Sequence, residues 1–154
     1  MEEDSWSFDI SGLEQLAEDL RKVEKAAPEI SMKWVRRAGQ QFLKNVRKKT
    51  REVTKKHTGN LARGYRQKVV LQRGSLKSYE SRINGGNGKA QHFHLVEEGH
   101  EGKVPMRGGL TRSIGHVEGR FMMQQTIDDW DNSGSIVPFA QAAVAEALMT
   151  GALD

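Results

Sequence analysis

The sequence predicts a single α+β domain in which N-terminal and C-terminal helices pack with a small antiparallel sheet. Three observations support this fold class. Apolar residues recur at helical spacing over the first third of the chain, short β-prone segments follow, and two further helical segments close the chain. A length of 154 residues suits one domain with one hydrophobic core, so residues 1–154 are treated as one unit.

The first helix is expected over about residues 12–26. Ser11 is suited to the N-cap, and Glu14 three residues later completes a capping box. Leucine, alanine and valine then recur every three or four residues, which is typical of an amphipathic helix. Before it, the alternation of Phe8 and Ile10 favours a short strand.

A second helix is expected from Pro28 to about Thr54. Proline is favoured in the first turn of a helix, where its missing N–H removes no hydrogen bond. The last third of this helix is strongly cationic, and cations at a helix C-terminus also suit the macrodipole.

An antiparallel meander is expected after the helices. The segments YRQKVVLQ (65–72) and LKSYESRI (76–83) are β-prone, and RGS between them allows a tight reversal. The glycine-rich and asparagine-rich residues 84–90 predict a mobile loop. HFHLVEEG (92–99) follows as the third strand candidate.

The remaining chain divides into a loop and two helices. Residues 101–119 contain five glycines and little apolar content, which predicts a long flexible loop with a functional role. GRFMMQQTIDDW (119–130) and VPFAQAAVAEALMTGAL (137–153) are helix candidates.

The histidines of HFHLVEEGH allow two interpretations. On a strand, His92 and His94 would share one face, and an H-x-H pair can bind zinc with His100, Glu98 or His116 as further ligands. A metal-dependent hydrolase is disfavoured, because Leu95 and Val96 are adjacent apolar residues and Gly99 ends the segment. Both features are typical of a partly buried strand. The strand is the favoured interpretation, and neither a metal nor any other cofactor is expected.

The charge distribution is uneven although the net charge is only +4. Residues 33–56 are rich in Lys and Arg, and no Lys or Arg follows Arg120. A solvated helix face explains some of these cations. The alternatives are a nucleic-acid-binding module using helix 33–56, and a head-to-tail contact between identical subunits. The residues assigned to the subunit contact are Lys44, Arg47, Lys48, Lys49, Arg51, Asp128, Asp129 and Asp131.

Several function classes are excluded or disfavoured. The chain has no cysteine, which excludes disulfides, thiolate metal sites and cysteine nucleophiles. No apolar run approaches the roughly 20 residues needed to cross a bilayer, and the acidic N-terminus lacks the order of a secretory signal. The glycine runs do not fit a phosphate-binding loop, and no serine sits in a nucleophile-elbow context. A soluble protein in a reducing cytoplasm is expected.

Four segments carry a family resemblance. HTGNLARG (57–64), HFHLVEEGH (92–100) and VEGRFMMQQTIDDW (117–130) resemble, in the same order, segments of the neck and tail-completion proteins of long-tailed bacteriophages. GLEQLAEDLRKV (12–23) is similar to the usual beginning of that family. The final segment, 133–154, resembles the ending of other branches of the family.

The resemblance implies a small α+β virion protein that assembles as a ring at the head–tail junction and has no catalytic role. It implies contacts with further copies of the chain, with head-closure or connector proteins, and with tail-terminator or tail-tube proteins. The implied location is the virion, and the host cytoplasm during assembly. No membrane is implied, and nucleic-acid binding would be at most weak and nonspecific.

Overall fold

The computed structural model describes residues 11–54, 59–72 and 78–152. For residues 11–14, 72, 78, 151 and 152 it describes the backbone alone. Helices and two small antiparallel sheets alternate along these ranges, which confirms the α+β class. The elements are α1 (Ser11–Val53), α2 (Asn60–Arg63), β1 (Arg66–Gln72), β2 (Ser78–Asn84), α3 (Phe93–Glu98), β3 (Gly99–Pro105), β4 (Thr111–Glu118), α4 (Met122–Asn132) and α5 (Val137–Ala152).

Helix α1 is continuous, so the prediction of two helices separated near Pro28 was wrong. Proline lacks the N–H that would complete one hydrogen bond, but its fixed φ is compatible with a helix. The helix is packed after the proline, since Ile30 and Val46 are buried and α5 lies along α1. The side chains of the proposed capping box, and the proposed strand at 8–10, lie outside the described residues.

Strands β1 and β2 form the predicted hairpin. They pair antiparallel, with Arg66 opposite Asn84. The predicted reversal at 73–75 lies outside the described residues. The sheet rests on α1, where the Gln67 side-chain amide donates to the carbonyl oxygen of Arg36 at 3.0 Å. A Cβ at Gly39 would collide with Ser81, so this glycine permits the close approach of helix and sheet.

The third predicted strand is a short helix, α3, and the three-stranded meander is therefore wrong. Phe93, Val96 and Glu97 recur at helical rather than alternating spacing. The Phe93 ring packs edge-on against Tyr65 with centroids 5.2 Å apart. Gly99, at φ 85°, ends the helix and begins β3.

The predicted flexible loop at 101–119 is largely a second hairpin, β3–β4. Gly99 pairs with Glu118 at its base and Pro105 with Thr111 near its tip. The glycines that favoured a loop serve the hairpin instead. Gly108 and Gly109 adopt positive φ in the turn, and a register shift lies between Gly102 and Lys103.

Residues 85–90 are irregular, as predicted for the loop at 84–90, and hydrogen bonds of Asn87 anchor them to the turn at Gly64. The Asn87 side-chain amide donates to the Gly64 carbonyl oxygen at 2.9 Å, and the Asn87 backbone N–H donates to the same oxygen at 3.1 Å. Ala90 is buried against the turn at Gly64.

Helices α4 and α5 lie where helices were expected, and they complete the core against α1. Trp130 of α4 contacts Phe42 edge-on at 5.5 Å and stacks on Phe139 at 6.2 Å. The Glu146 carboxylate of α5 accepts hydrogen bonds from Lys33 Nζ at 2.6 Å and Trp34 Nε1 at 2.7 Å. The C-terminal segment is thus docked along α1.

Candidate functional site

Two of the segments that carry the family resemblance meet at the start of α4. The residue preceding this helix, Phe121, is in the left-handed conformation and makes no side-chain cap. The cap comes from α3, because the Glu97 carboxylate accepts from the backbone N–H of Met122 at 3.0 Å and of Met123 at 2.6 Å. A carboxylate at this position satisfies orphan donors and interacts favourably with the helix dipole.

Backbone hydrogen bonds reinforce this contact. The N–H of Arg120 donates to the Val96 carbonyl oxygen at 2.8 Å, and the N–H of Phe121 donates to that of Glu97 at 3.0 Å. A Cβ at Gly119 would lie 2.5 Å from the Glu97 carbonyl oxygen, so the close approach requires glycine. The α3–α4 junction is therefore a tightly bonded structural unit.

Tyr65 connects this junction to α1. Its side chain is fully buried, and the Thr50 hydroxyl donates to its oxygen at 3.2 Å. Burial raises the pKa of Tyr65 to about 12, opposed by the Thr50 hydrogen bond. The Arg47 guanidinium donates to the Tyr65 carbonyl oxygen at 2.8 Å, and its Nε is buried without a partner. Arg47, assigned to a subunit contact from the sequence, thus supports the fold of its own chain.

The oppositely charged segments of the sequence are neighbours in space. Lys49 Nζ lies 2.7 Å from an Asp129 carboxylate oxygen of the same chain, and this hydrogen bond raises the Lys49 pKa. A cleft of 280 Å³ lies beside the pair, between α1 and α4, and Lys48, Glu52 and Trp130 also line it. Lys49 and Asp129 therefore contribute to the packing of α4 on α1.

The other predicted contact residues remain at the surface. Lys44, Lys48 and Arg51 are exposed on α1, where Lys48 lies 3.9 Å from Glu52. Asp128 and Asp131 are exposed on α4. Exposed charges of both signs thus lie on two helices that pack against each other, which the sequence alone did not indicate.

The β3–β4 hairpin presents an apolar face that the sequence reasoning missed. Val104, Ile114 and Val117 are exposed on it, and Ile114 is 61% exposed although it lies over Gly102. The opposite face is polar, and there His116 Nδ1 lies 3.4 Å from a Glu101 carboxylate oxygen. The alternation that signals an amphipathic strand was hidden by glycines and by the register shift at Gly102.

The outer side of α5 is a second exposed apolar surface. Val144, Leu148 and Met149 are exposed there, with Leu148 at 63%. Together with Ala140 and Ala145, Val144 and Leu148 line a shallow groove of 420 Å³.

The histidines do not form the strand-face pair considered for zinc. His92 precedes α3, His94 is exposed within it, and the His100 ring nitrogen Nδ1 lies 3.3 Å from the Leu95 carbonyl oxygen. Across residues 11–54, 59–72 and 78–152, no cluster of three or more His, Cys, Asp or Glu is placed to hold a metal ion.

None of the described helices combines the length and the apolar character that a membrane-spanning helix requires.

Comparison with known proteins identifies the family. A family model described as "Bacteriophage HK97-gp10, putative tail-component" matches residues 14–99, more than half of the chain. The match runs from α1 through α3 and includes the anchored loop at 84–90. No curated protein and no solved structure matches the chain. The chain belongs to the HK97-gp10-like family of bacteriophage tail components.

Proposed function

We propose that the chain is a structural virion protein that completes the phage tail and joins it to the head by assembling as a ring. Its partners are further copies of itself, head-closure or connector proteins, and tail-terminator or tail-tube proteins. Assembly takes place in the host cytoplasm and involves no catalysis. Membership of a tail-component family supports a structural place in the virion. The resemblance of four segments to neck and tail-completion proteins supports the head–tail junction.

The observation that carries the proposal is the apolar surface that the folded subunit exposes to solvent. Hairpin β3–β4 and helix α5 each expose several large apolar side chains. Contiguous apolar surface on a small protein is typical of an interaction site. In contrast, the α3–α4 junction is closed by hydrogen bonds. Exposed apolar surface together with a hydrogen-bonded junction suits a subunit that folds first and then binds its neighbours through the apolar surface.

The exposed charges can orient neighbouring subunits in the proposed contacts. Lys44, Lys48 and Arg51 project from α1, while Asp128 and Asp131 project from α4. Charges at the rim of an interface contribute chiefly to association rate and orientation. We assign these five residues to contacts between virion subunits, and we assign Arg47, Lys49 and Asp129 to the fold of the subunit.

Complementation of a phage that lacks this gene tests the proposal. The variant Lys48→Glu with Arg51→Glu should melt like the wild type, because exposed charges contribute little to stability. It should lower the yield of infectious particles by about tenfold or more, since a loss of about 1.4 kcal/mol at an interface is tenfold in affinity. Unjoined heads and tails should accumulate and be visible by electron microscopy.

The matched control is Arg66→Glu with Lys68→Glu on β1, which makes the same change of charge at two exposed positions. Normal yields from the folded α1 variant would remove Lys48 and Arg51 from the contact. A deletion of the whole gene that leaves filled heads joined to tails would reject the proposed function.

A further inference from the structure

The β3–β4 hairpin is an amphipathic ribbon with an uncovered side. Val104 pairs with Arg112 and His100 pairs with Val117, which places Val104 and Val117 on one face. Ile114 joins them because its side chain lies over Gly102. Met106 and Leu110 extend the exposed apolar surface to the tip. A two-stranded hairpin is marginally stable in water unless one face is packed, so this face needs a cover.

The outer half of the ribbon is also cationic. Between residues 103 and 115 there is no Asp or Glu, and the charged residues are Lys103, Arg107 and Arg112. A matching surface should therefore be apolar and carry negative charge. Such a surface is favoured by both the hydrophobic effect and electrostatic complementarity.

Helices α4 and α5 offer these properties together. The outer side of α5 exposes Val144, Leu148 and Met149 beside a shallow groove. The chain has no Lys or Arg after Arg120, and Asp128 and Asp131 of α4 are exposed. The C-terminal helices thus expose an apolar surface on α5 and acidic residues on α4. The hairpin and the α5 surface are both exposed in one subunit, so neither covers the other.

We infer that the apolar face of hairpin β3–β4 docks on the outer side of α5 in a second copy of the chain. Arg112, on the same face as Val104, and Arg107, in the turn, then approach the acidic residues of α4 in that copy. The two surfaces differ, so the contact is heterologous and repeats from subunit to subunit until a ring closes. This inference rests on the proposed ring assembly and adds the surfaces that form it.

Engineered disulfides test the contact, because the chain has no cysteine of its own. A tagged Ile114→Cys chain and an untagged Leu148→Cys chain are produced together in cells that assemble particles. Oxidation of the purified particles should link one tagged chain to one untagged chain. The matched control is Ser113→Cys, one residue away on the polar face, which should cross-link to Leu148→Cys at least about tenfold less.

Three outcomes would overturn the inference. They are equal cross-linking from position 113, Ile114→Cys chains that link mainly to each other, and Ile114→Cys chains that link to a different virion protein. In each case the protein is still present in joined particles, so the proposed function survives. Absence of the wild-type chain from the particles would instead reject the proposed function itself.

A second variant keeps the test independent of cysteine chemistry. Val104→Ser with Ile114→Ser changes two exposed side chains, so the subunit should melt near the wild-type temperature. Loss of two apolar groups from the contact should reduce ring formation by about tenfold or more. Unchanged ring formation by the folded variant would contradict the docking.

Discussion

Glu97 links two parts of the chain that lie more than twenty residues apart. Its carboxylate accepts from the backbone N–H groups of Met122 and Met123 and so replaces the cap that Phe121 does not provide. The next residue, Glu98, is exposed. Comparing substitutions of these two adjacent glutamates therefore distinguishes a capping role from a general effect of negative charge.

Replacing Glu97 with alanine should lower the free energy of unfolding by about 1–2 kcal/mol, because a lost helix cap leaves buried donors unsatisfied. Urea denaturation followed by circular dichroism measures the change. Glu98→Ala is the control and should differ from the wild type by less than about 0.5 kcal/mol. Equal losses from the two variants would contradict the capping role.

Tyr65 should make the fold sensitive to alkali. Its pKa is raised to about 12 in the folded chain by burial, above the ordinary value of 10.0. The stabilisation is therefore fully present below pH 10 and is lost as the pH rises towards 12, amounting to about 2–3 kcal/mol. Denaturation curves between pH 8 and 12 measure it.

Tyr65→Phe should be less stable at neutral pH through loss of the contact with Thr50, but its stability should fall less steeply above pH 10. Lys49, whose pKa is raised by its hydrogen bond to Asp129, contributes an alkaline loss that both proteins share. Parallel pH profiles for the two proteins would show that Tyr65 does not carry the effect.

Among the elements, the contact between α1 and α5 depends on one polar cluster. Glu146 accepts from Lys33 and Trp34, while Arg37 lies over the Trp34 ring at 4.7 Å from its centroid. The hydrogen bond from Lys33, followed by that from Trp34, lowers the pKa of Glu146. This cluster holds the C-terminal helix at a fixed register on α1.

A Glu146→Gln variant should be less stable than the wild type above about pH 4.5, the ordinary value for this carboxyl. Since the folded pKa is lowered, the stabilisation is present above the ordinary pKa and is lost as the pH falls through the lowered value. The difference in melting temperature between the two proteins should therefore shrink below pH 4.5. Glu24→Gln, at an exposed position of α1, is the control. A difference that is constant from pH 7 to pH 3 would contradict this account.

For the whole molecule, the net charge of +4 predicts weak association with nucleic acid. The exposed cations of α1 can contact phosphates, but Arg37 already lies over the Trp34 ring, and the Trp34 N–H donates to Glu146. Fluorescence anisotropy should show micromolar, sequence-independent binding at low salt that weakens steeply as salt rises. Lys48→Glu with Arg51→Glu should abolish it. Nanomolar binding at physiological salt would favour a nucleic-acid-binding module.

The sequence by itself determined the parts of the fold that depend on local pattern. Helical periodicity indicated α4 and α5, and β-prone segments on either side of a reversal indicated β1 and β2. The family resemblance likewise rested on short segments in a fixed order, and the family match confirmed it. Each of these features depends on residues that are neighbours in sequence, so it can be predicted without knowledge of the tertiary contacts.

Only the tertiary structure decided the features that depend on distant partners. Helix α1 continues through Pro28 and is packed from Ile30 onwards, and contact with Tyr65 and the start of α4 makes residues 93–98 a helix instead of a strand. The pairing of Lys49 with Asp129 within one chain is likewise a contact that their distance along the sequence did not indicate. The physical reason is common to all three. A weak local preference is outweighed by burial and hydrogen bonds to residues far along the chain, and sequence spacing does not reveal those partners.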